Sequence, residues 1–173
     1  METGSNALDR YIAKRDRHAT DEPFGGSGIA RPGLFMVHHH QASSEHYDLR
    51  LEHEGVLLSF AVPKGPSMNP ADKRLAVHVE DHPLDYSEYE GVIAEGQYGA
   101  GPSLVWDRGR YRSDGPLDTS TGKLSFDLYG YKLRGHFTLV RTRRSGQWLL
   151  MKKDDEWAHD DPLEPRGVLS GRT

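Results

Sequence analysis

The residues with the most chemical potential lie together in Phe35–Arg50, FMVHHHQASSEHYDLR, where four of the ten histidines stand beside an aspartate and an arginine. The surrounding residues read as β-strand, in which successive side chains leave on opposite faces. In His46-Tyr47-Asp48-Leu49-Arg50-Leu51, His46, Asp48 and Arg50 therefore share one face, while Tyr47, Leu49 and Leu51 share the other. The same parity in Phe35–His40 sets Phe35, Val37 and His39 on one side and His38 and His40 on the opposite side. One face is core and the other carries chemistry. If the two segments pair through a turn at 41–45, then His40, His46 and Asp48 converge. Two imidazoles and a carboxylate form a ligand set for a divalent transition metal with open positions. Arg50, two residues on and on the same face, adds a planar fork suited to phosphate. The competing reading is a solvated polar face on a half-buried strand. A tag remnant fits poorly, because the triple histidine lies inside the chain and continues a strand pattern.

The elements that must position these residues are short strands. Asn6 caps a predicted short helix over Ala7–Asp16, with Leu8, Tyr11 and Ile12 at helical spacing and Arg15 on the same stripe. A guanidinium there needs an acid or a bound phosphate as partner. Asp16 and Glu22 follow, then a glycine-rich arm ending at Arg31-Pro32-Gly33. Gly55 turns the chain into Val56–Val62, an apolar run of strand length that Pro63 ends. Arg74–Glu80 alternates Leu75, Val77, Val79 against Arg74, Ala76, His78, Glu80, with His82 continuing the polar parity past the strand end. A loop with a short strand at Val92–Ala94 follows. Further strands are predicted at Ser103–Asp107, Lys123–Tyr129, Leu133–Arg141 and Gln147–Lys153, punctuated by Gly109, Gly115, Gly122, Gly130, Gly135 and Gly146. This pattern predicts an all-β protein, a compact closed or partly closed β-barrel with a short N-terminal helix and long loops. Its parts are an arm (1–33) contributing to the site, the barrel (34–157) and a tail (158–173).

Composition narrows the function classes. The 173 residues suit one domain. The net charge of −4, from 22 basic and 26 acidic residues, removes any general nucleic-acid footprint, so a polyanion must be met by a local patch. Arg10, Lys14, Arg15 and Arg17, then Lys64, Lys73 and Arg74, then Arg141, Arg143 and Arg144 are such patches, or else solvated rims. The absence of cysteine excludes disulfides and thiolate zinc sites. No apolar run reaches membrane-spanning length and the amino end has no signal-peptide core, so a soluble, cytoplasmic protein without membrane partners is expected.

The run HYDLRLE, VPKGPS, RLAVHVEDHPLDY and GQYGAG, in this order, resembles the 3′-phosphoesterase domain found in bacterial DNA ligase D and as free-standing bacterial and archaeal proteins. The likeness extends from Tyr11 to Lys153. It implies a manganese-dependent repair enzyme of non-homologous end joining, with cobalt or zinc as alternative ions. Such enzymes remove a 3′-terminal ribonucleotide from a primer strand and then the 3′-phosphate, leaving a 3′-hydroxyl for a ligase. The resemblance makes His40, His46 and Asp48 metal ligands. It makes Arg50, Arg15 and His82 contacts of the scissile phosphate, with His82 also protonating the leaving group. Asp16 and Glu22 would complete the site from the arm, His38 and Tyr86 would flank it, and Lys64 and Arg74 would be secondary phosphate contacts. Family members often carry glutamine where His38 stands. The partners implied are a primer-template end and a ligase and polymerase acting in trans.

Two other classes fit parts of the pattern. His46-Tyr47-Asp48 with a distant histidine such as His136 would make the facial triad of a non-haem iron oxygenase. A non-catalytic module gripping DNA ends, its metal structural, would use the same residues without turnover.

Overall fold

The structure, a computed structural model, describes residues 33–41, 43–84, 86, 90–93 and 101–168. The helix expected over Ala7–Asp16, with Arg15, and the arm residue Glu22 lie outside the described residues. The elements are β1 (Leu34–Gln41), β2 (Glu45–His53), β3 (Val56–Val62), β4 (Lys73–Pro83), β5 (Gly91–Ile93), β6 (Gly101–Ser113), β7 (Lys123–Gly130), β8 (Arg134–Arg141) and β9 (Gln147–Lys152). They form one antiparallel sheet in the order β1-β2-β3-β4-β9-β8-β7-β6-β5, and pairing of β1 with β6 closes eight of them into a barrel. Closure removes the sheet edges that would otherwise invite association. Among the described residues no helix is long and apolar enough to cross a membrane.

Local sequence explains the hairpins that build the site. The loop between β2 and β3 is two residues long, and both Glu54 (φ 51) and Gly55 (φ 84) take the positive φ that such a turn demands. β1 and β2 pair through the expected turn, with His40 opposite His46 and Gln41 opposite Glu45. Phe35, Val37, Leu49, Leu51, Phe60 and Val62 point into the barrel, where they pack with Phe126, Phe137 and Trp148. A smaller apolar cluster, Met36, Leu57, Leu84 and Tyr86, sits on the other face of β1–β3. It roofs the outer surface that carries the site.

β4 departs from the sequence reading. Leu57 pairs with His82 but Ser59 pairs with Val79, so Glu80 and Asp81 together oppose Leu58 in a one-residue bulge. N-terminal to the bulge the even positions face inward: Ala76 is in the core and His78 packs on Phe60 with ring centroids 5.0 Å apart. Leu75, from the apolar set, is 39% exposed. Beyond the bulge the parity inverts. His82 lies within the strand rather than past its end, opposite Leu57, on the outer face and away from His78.

Two glycines read as punctuation lie inside strands. Gly109 and Gly130 face one another across β6 and β7. A Cβ at Gly109 would stand 2.2 Å from Tyr129 O, and one at Gly130 would stand 2.5 Å from Asp107 Oδ2 and 2.6 Å from Phe35 Cζ. The glycines serve close packing, and β6 accordingly runs to Ser113 instead of stopping at Asp107. Asp107 uses the space at Gly130, accepting hydrogen bonds from the backbone N–H of Tyr131, Lys132 and Leu133. After β9 the chain crosses back over the barrel. His159 N donates to Met68 O, Val168 N donates to Val105 O, and Leu163 packs against the core.

Gly130→Ala should destabilise the fold by about 1–3 kcal/mol, the usual cost of overpacking. Gly115→Ala, with nothing within 4 Å of its added Cβ, should leave the denaturation midpoint near wild type. Equal midpoints for the two variants would refute the packing role.

Candidate functional site

Cross-strand register brings the chemistry together on the outer face of β1, β2, β3 and β4. His38 lies opposite Asp48, His40 opposite His46, and Arg50 opposite Ser59. Asp48 (5% exposed) and Arg50 (2%) are both buried. Asp48 Oδ2 lies 3.2 Å from His46 Nε2, 3.3 Å from Arg50 Nη2 and 3.9 Å from His40 Nδ1. The His40 and His46 rings stand edge to face with centroids 4.9 Å apart. One ligand atom from each of His40, His46 and Asp48 lies within 4.8 Å of the others. His46 Nδ1–H donates to Ser44 O at 3.2 Å, which directs Nε2 into the cluster. This donor set, nitrogen and oxygen without sulfur, fits a divalent transition ion.

Arg50 is held on three sides. Its Nε donates to His38 Nδ1 at 3.1 Å, Nη1 to Ser59 Oγ at 2.9 Å, and Nη2 to Asp48 Oδ2 at 3.3 Å. The bond at Nδ1 ties His38 to Arg50, and His38 stands apart from the three-residue ligand group. Tyr86 joins the remaining members: its ring centroid is 5.0 Å from Arg50 Cζ, 5.3 Å from the His38 ring and 4.9 Å from the His82 ring. His82 Nδ1–H donates to Glu80 O at 3.0 Å, which orients the ring. The bulge that turns His82 outward therefore also supplies that carbonyl.

Electrostatics follow from the packing. Burial works against the Asp48 carboxylate, but the charge of Arg50 and then the hydrogen bond and charge of His46 outweigh it and hold its pKa below the ordinary 3.8. Burial likewise opposes charge on His46, yet Asp48 raises its pKa above 6.5. His46 Nε2 and Asp48 Oδ2, 3.2 Å apart, thus favour each other's charged forms.

Other expected residues fall elsewhere. Lys64 and Arg74 line a separate cavity of about 280 Å³, with Tyr47, Asp72, Trp106 and Leu163. Arg74 there donates to Lys64 O and Asp72 Oδ2. Tyr47 stands between His46 and Asp48 in sequence but on the opposite face of β2, where His39 stacks on it at 4.4 Å. Arg15, Asp16 and Glu22 are outside the described residues. His136 does not complete a triad with His46 and Asp48: it lies on β8, diametrically across the barrel from β2, beside Asp127 (3.0 Å) and Asp114 (3.5 Å). His136 is therefore not the third ligand that the oxygenase reading took it for. Ser59 was not singled out from sequence, although a lone hydroxyl in the apolar strand VLLSFAV was a signal for it.

The fold and site define a class: a closed antiparallel barrel bearing a two-histidine, one-carboxylate cluster beside a buried arginine. Residues 38–141 match the family described as "DNA Ligase D 3′-phosphoesterase domain". The chain is 47% identical to the multifunctional non-homologous end joining protein LigD of Pseudomonas aeruginosa over 189 aligned residues, and 39% identical to that of Mycolicibacterium smegmatis over 180. These alignments cover 98% and 96% of this chain but 22% and 23% of the relatives, so the chain spans under a quarter of their length. It belongs to the DNA ligase D 3′-phosphoesterase domain family.

The folded pKa of Asp48 is depressed, so its contribution to stability is present above its unfolded value and lost as pH falls through the folded one. That of His46 is raised, so its contribution is present below 6.5 and lost as pH rises through the folded value. In chelator, the stability gap between wild type and Asp48→Asn should therefore be larger at pH 5 than at pH 8.5. A gap that grows with pH would contradict this coupling.

Proposed function

We propose that this chain is a metal-dependent 3′-end-healing phosphoesterase. It removes a 3′-terminal ribonucleotide from a primer strand and then the 3′-phosphate, leaving a 3′-hydroxyl for ligation in non-homologous end joining. The observation that carries this reading is the convergence of His40, His46 and Asp48 beside a guanidinium already immobilised by three hydrogen bonds. Membership of the 3′-phosphoesterase domain family supports the same direction.

His40, His46 and Asp48 would hold a manganese ion, with cobalt or zinc as alternatives. The bound ion would polarise the phosphoryl oxygens and offset their charge. Arg50 retains two of its five N–H groups after its three bonds, enough for an oxygen of the scissile phosphate. Because the guanidinium is preorganised, it stabilises charge developing in the transition state without a reorganisation cost. His82, protonated on both ring nitrogens, would pass its Nε2 proton to the departing sugar oxygen as the P–O bond breaks: O5′ of the terminal ribonucleoside in the first step and O3′ of the primer in the second. The attacking oxygen comes from water or, at a ribonucleotide end, from the neighbouring 2′-hydroxyl. Arg15, Asp16 and Glu22 would complete the site from the arm, and Lys64 and Arg74 would meet phosphates farther along the strand. A ligase and a polymerase would act on the same end in trans.

Incubating a labelled duplex primer bearing one 3′-ribonucleotide with manganese should yield first a 3′-phosphate and then a 3′-hydroxyl product, and chelation should stop both. A chain that binds this DNA but releases nothing would be an end-gripping module instead. His46→Ala and Asp48→Ala should abolish turnover, and full manganese-dependent activity in either would remove the ligand assignment. Manganese affinity, followed by calorimetry, should weaken as pH falls through the raised pKa of His46, since the ion must displace that proton. A pH-independent affinity would place the ion elsewhere.

A further inference from the structure

We propose that Ser59 is a positioning residue that sets the plane of the Arg50 guanidinium. The inference rests on the phosphoesterase reading of the site. Ser59 is fully buried on β3, directly opposite Arg50 in the β2–β3 register. A hydroxyl has one hydrogen and two lone pairs. Its hydrogen is committed to Leu57 O at 3.0 Å, so the oxygen must present a lone pair elsewhere, and Arg50 Nη1 takes it at 2.9 Å. The hydroxyl therefore has a fixed polarity and cannot rotate to donate to a ligand.

The consequence for Arg50 is geometric. His38 Nδ1, on β1, holds Nε, and Asp48 Oδ2, on β2 itself, holds Nη2. Ser59, on the neighbouring strand β3, holds the remaining nitrogen. With all three nitrogens anchored and Tyr86 5.0 Å above Cζ, the two remaining N–H groups have fixed directions. Without Ser59 the guanidinium keeps two anchors and is free to tilt about them.

The same backbone irregularity organises both ends of this arrangement. Leu57, the acceptor for Ser59, pairs with His82, and the β4 bulge lies between this pair and that of Ser59 with Val79. One inserted residue thus turns His82 toward the site next to the carbonyl that orients the Arg50 support.

The test measures release of phosphate from a 3′-phosphate primer by wild type, Ser59→Ala, Ser59→Cys, Arg50→Lys and the Ser59→Ala/Arg50→Lys double variant. Cysteine keeps the volume but is a weak acceptor. Ser59→Ala and Ser59→Cys should each lower kcat about ten-fold or more, the value of one hydrogen bond to a charged group, with a smaller change in KM. In the Arg50→Lys background the serine change should cost nothing further, because its effect acts through the guanidinium. The Arg50 Nε–H resonance of the ion-free protein should exchange faster with water in both serine variants. Wild-type kcat in Ser59→Ala and Ser59→Cys, an additive loss in the double variant, or an unchanged Arg50 resonance would overturn the proposal. If the wild type releases no phosphate at all, the phosphoesterase reading fails, while the resonance still decides whether Ser59 positions Arg50.

Discussion

Asp48 is the side chain on which the rest of the arrangement depends. A carboxylate buried on the outer face of a barrel strand is costly unless it is paired. Here a guanidinium and an imidazole both meet the same oxygen. Such a pairing adds little net stability compared with an apolar replacement. What it supplies is placement: Arg50 is drawn against His38 and Ser59, His46 is turned toward His40, and one ligand atom each of His40, His46 and Asp48 gather within 4.8 Å. Tyr86, packed with Met36, Leu57 and Leu84, lies over the Arg50 guanidinium.

The barrel explains how so much polar chemistry is tolerated. Its interior is filled by the inward positions of β1, β2 and β3 together with Phe126, Phe137 and Trp148, so the outer face of the same strands is free to be polar. Close approach elsewhere keeps the frame rigid. Gly130 lets Asp107 Oδ2 and Phe35 Cζ into the space that a side chain would fill, and Phe35 belongs to the strand that carries His38 and His40. Core packing and site geometry are therefore coupled through β1.

Much of this was legible in the sequence because strand parity is local. The alternation in Phe35–His40 and His46–Leu51 separates core from chemistry correctly, and the short turn between them sets His40 against His46. The barrel was legible from the spacing of short strands. The β4 bulge was not, since one inserted residue leaves no compositional mark yet inverts the face of everything after it. His82 was singled out by continued parity and by the family resemblance, but its orientation depends on Glu80 and Asp81 sharing one partner. Gly109 and Gly130 were misread because a glycine needed for close approach looks the same in sequence as one needed for a turn. Lys64 and Arg74, expected as secondary phosphate contacts, line a separate cavity with Tyr47 and Trp106, a placement that strand parity alone does not give. Ser59 gains its meaning only from the register that puts it opposite Arg50.

The most direct test of the central claim is to locate manganese in crystals of this protein by anomalous scattering at the metal edge. A single strong peak between His40 Nδ1, His46 Nε2 and Asp48 Oδ2, lost in Asp48→Ala, is the result the account predicts. A peak beside Asp114, Asp127 and His136 instead, or no peak at the cluster under saturating manganese, would contradict it.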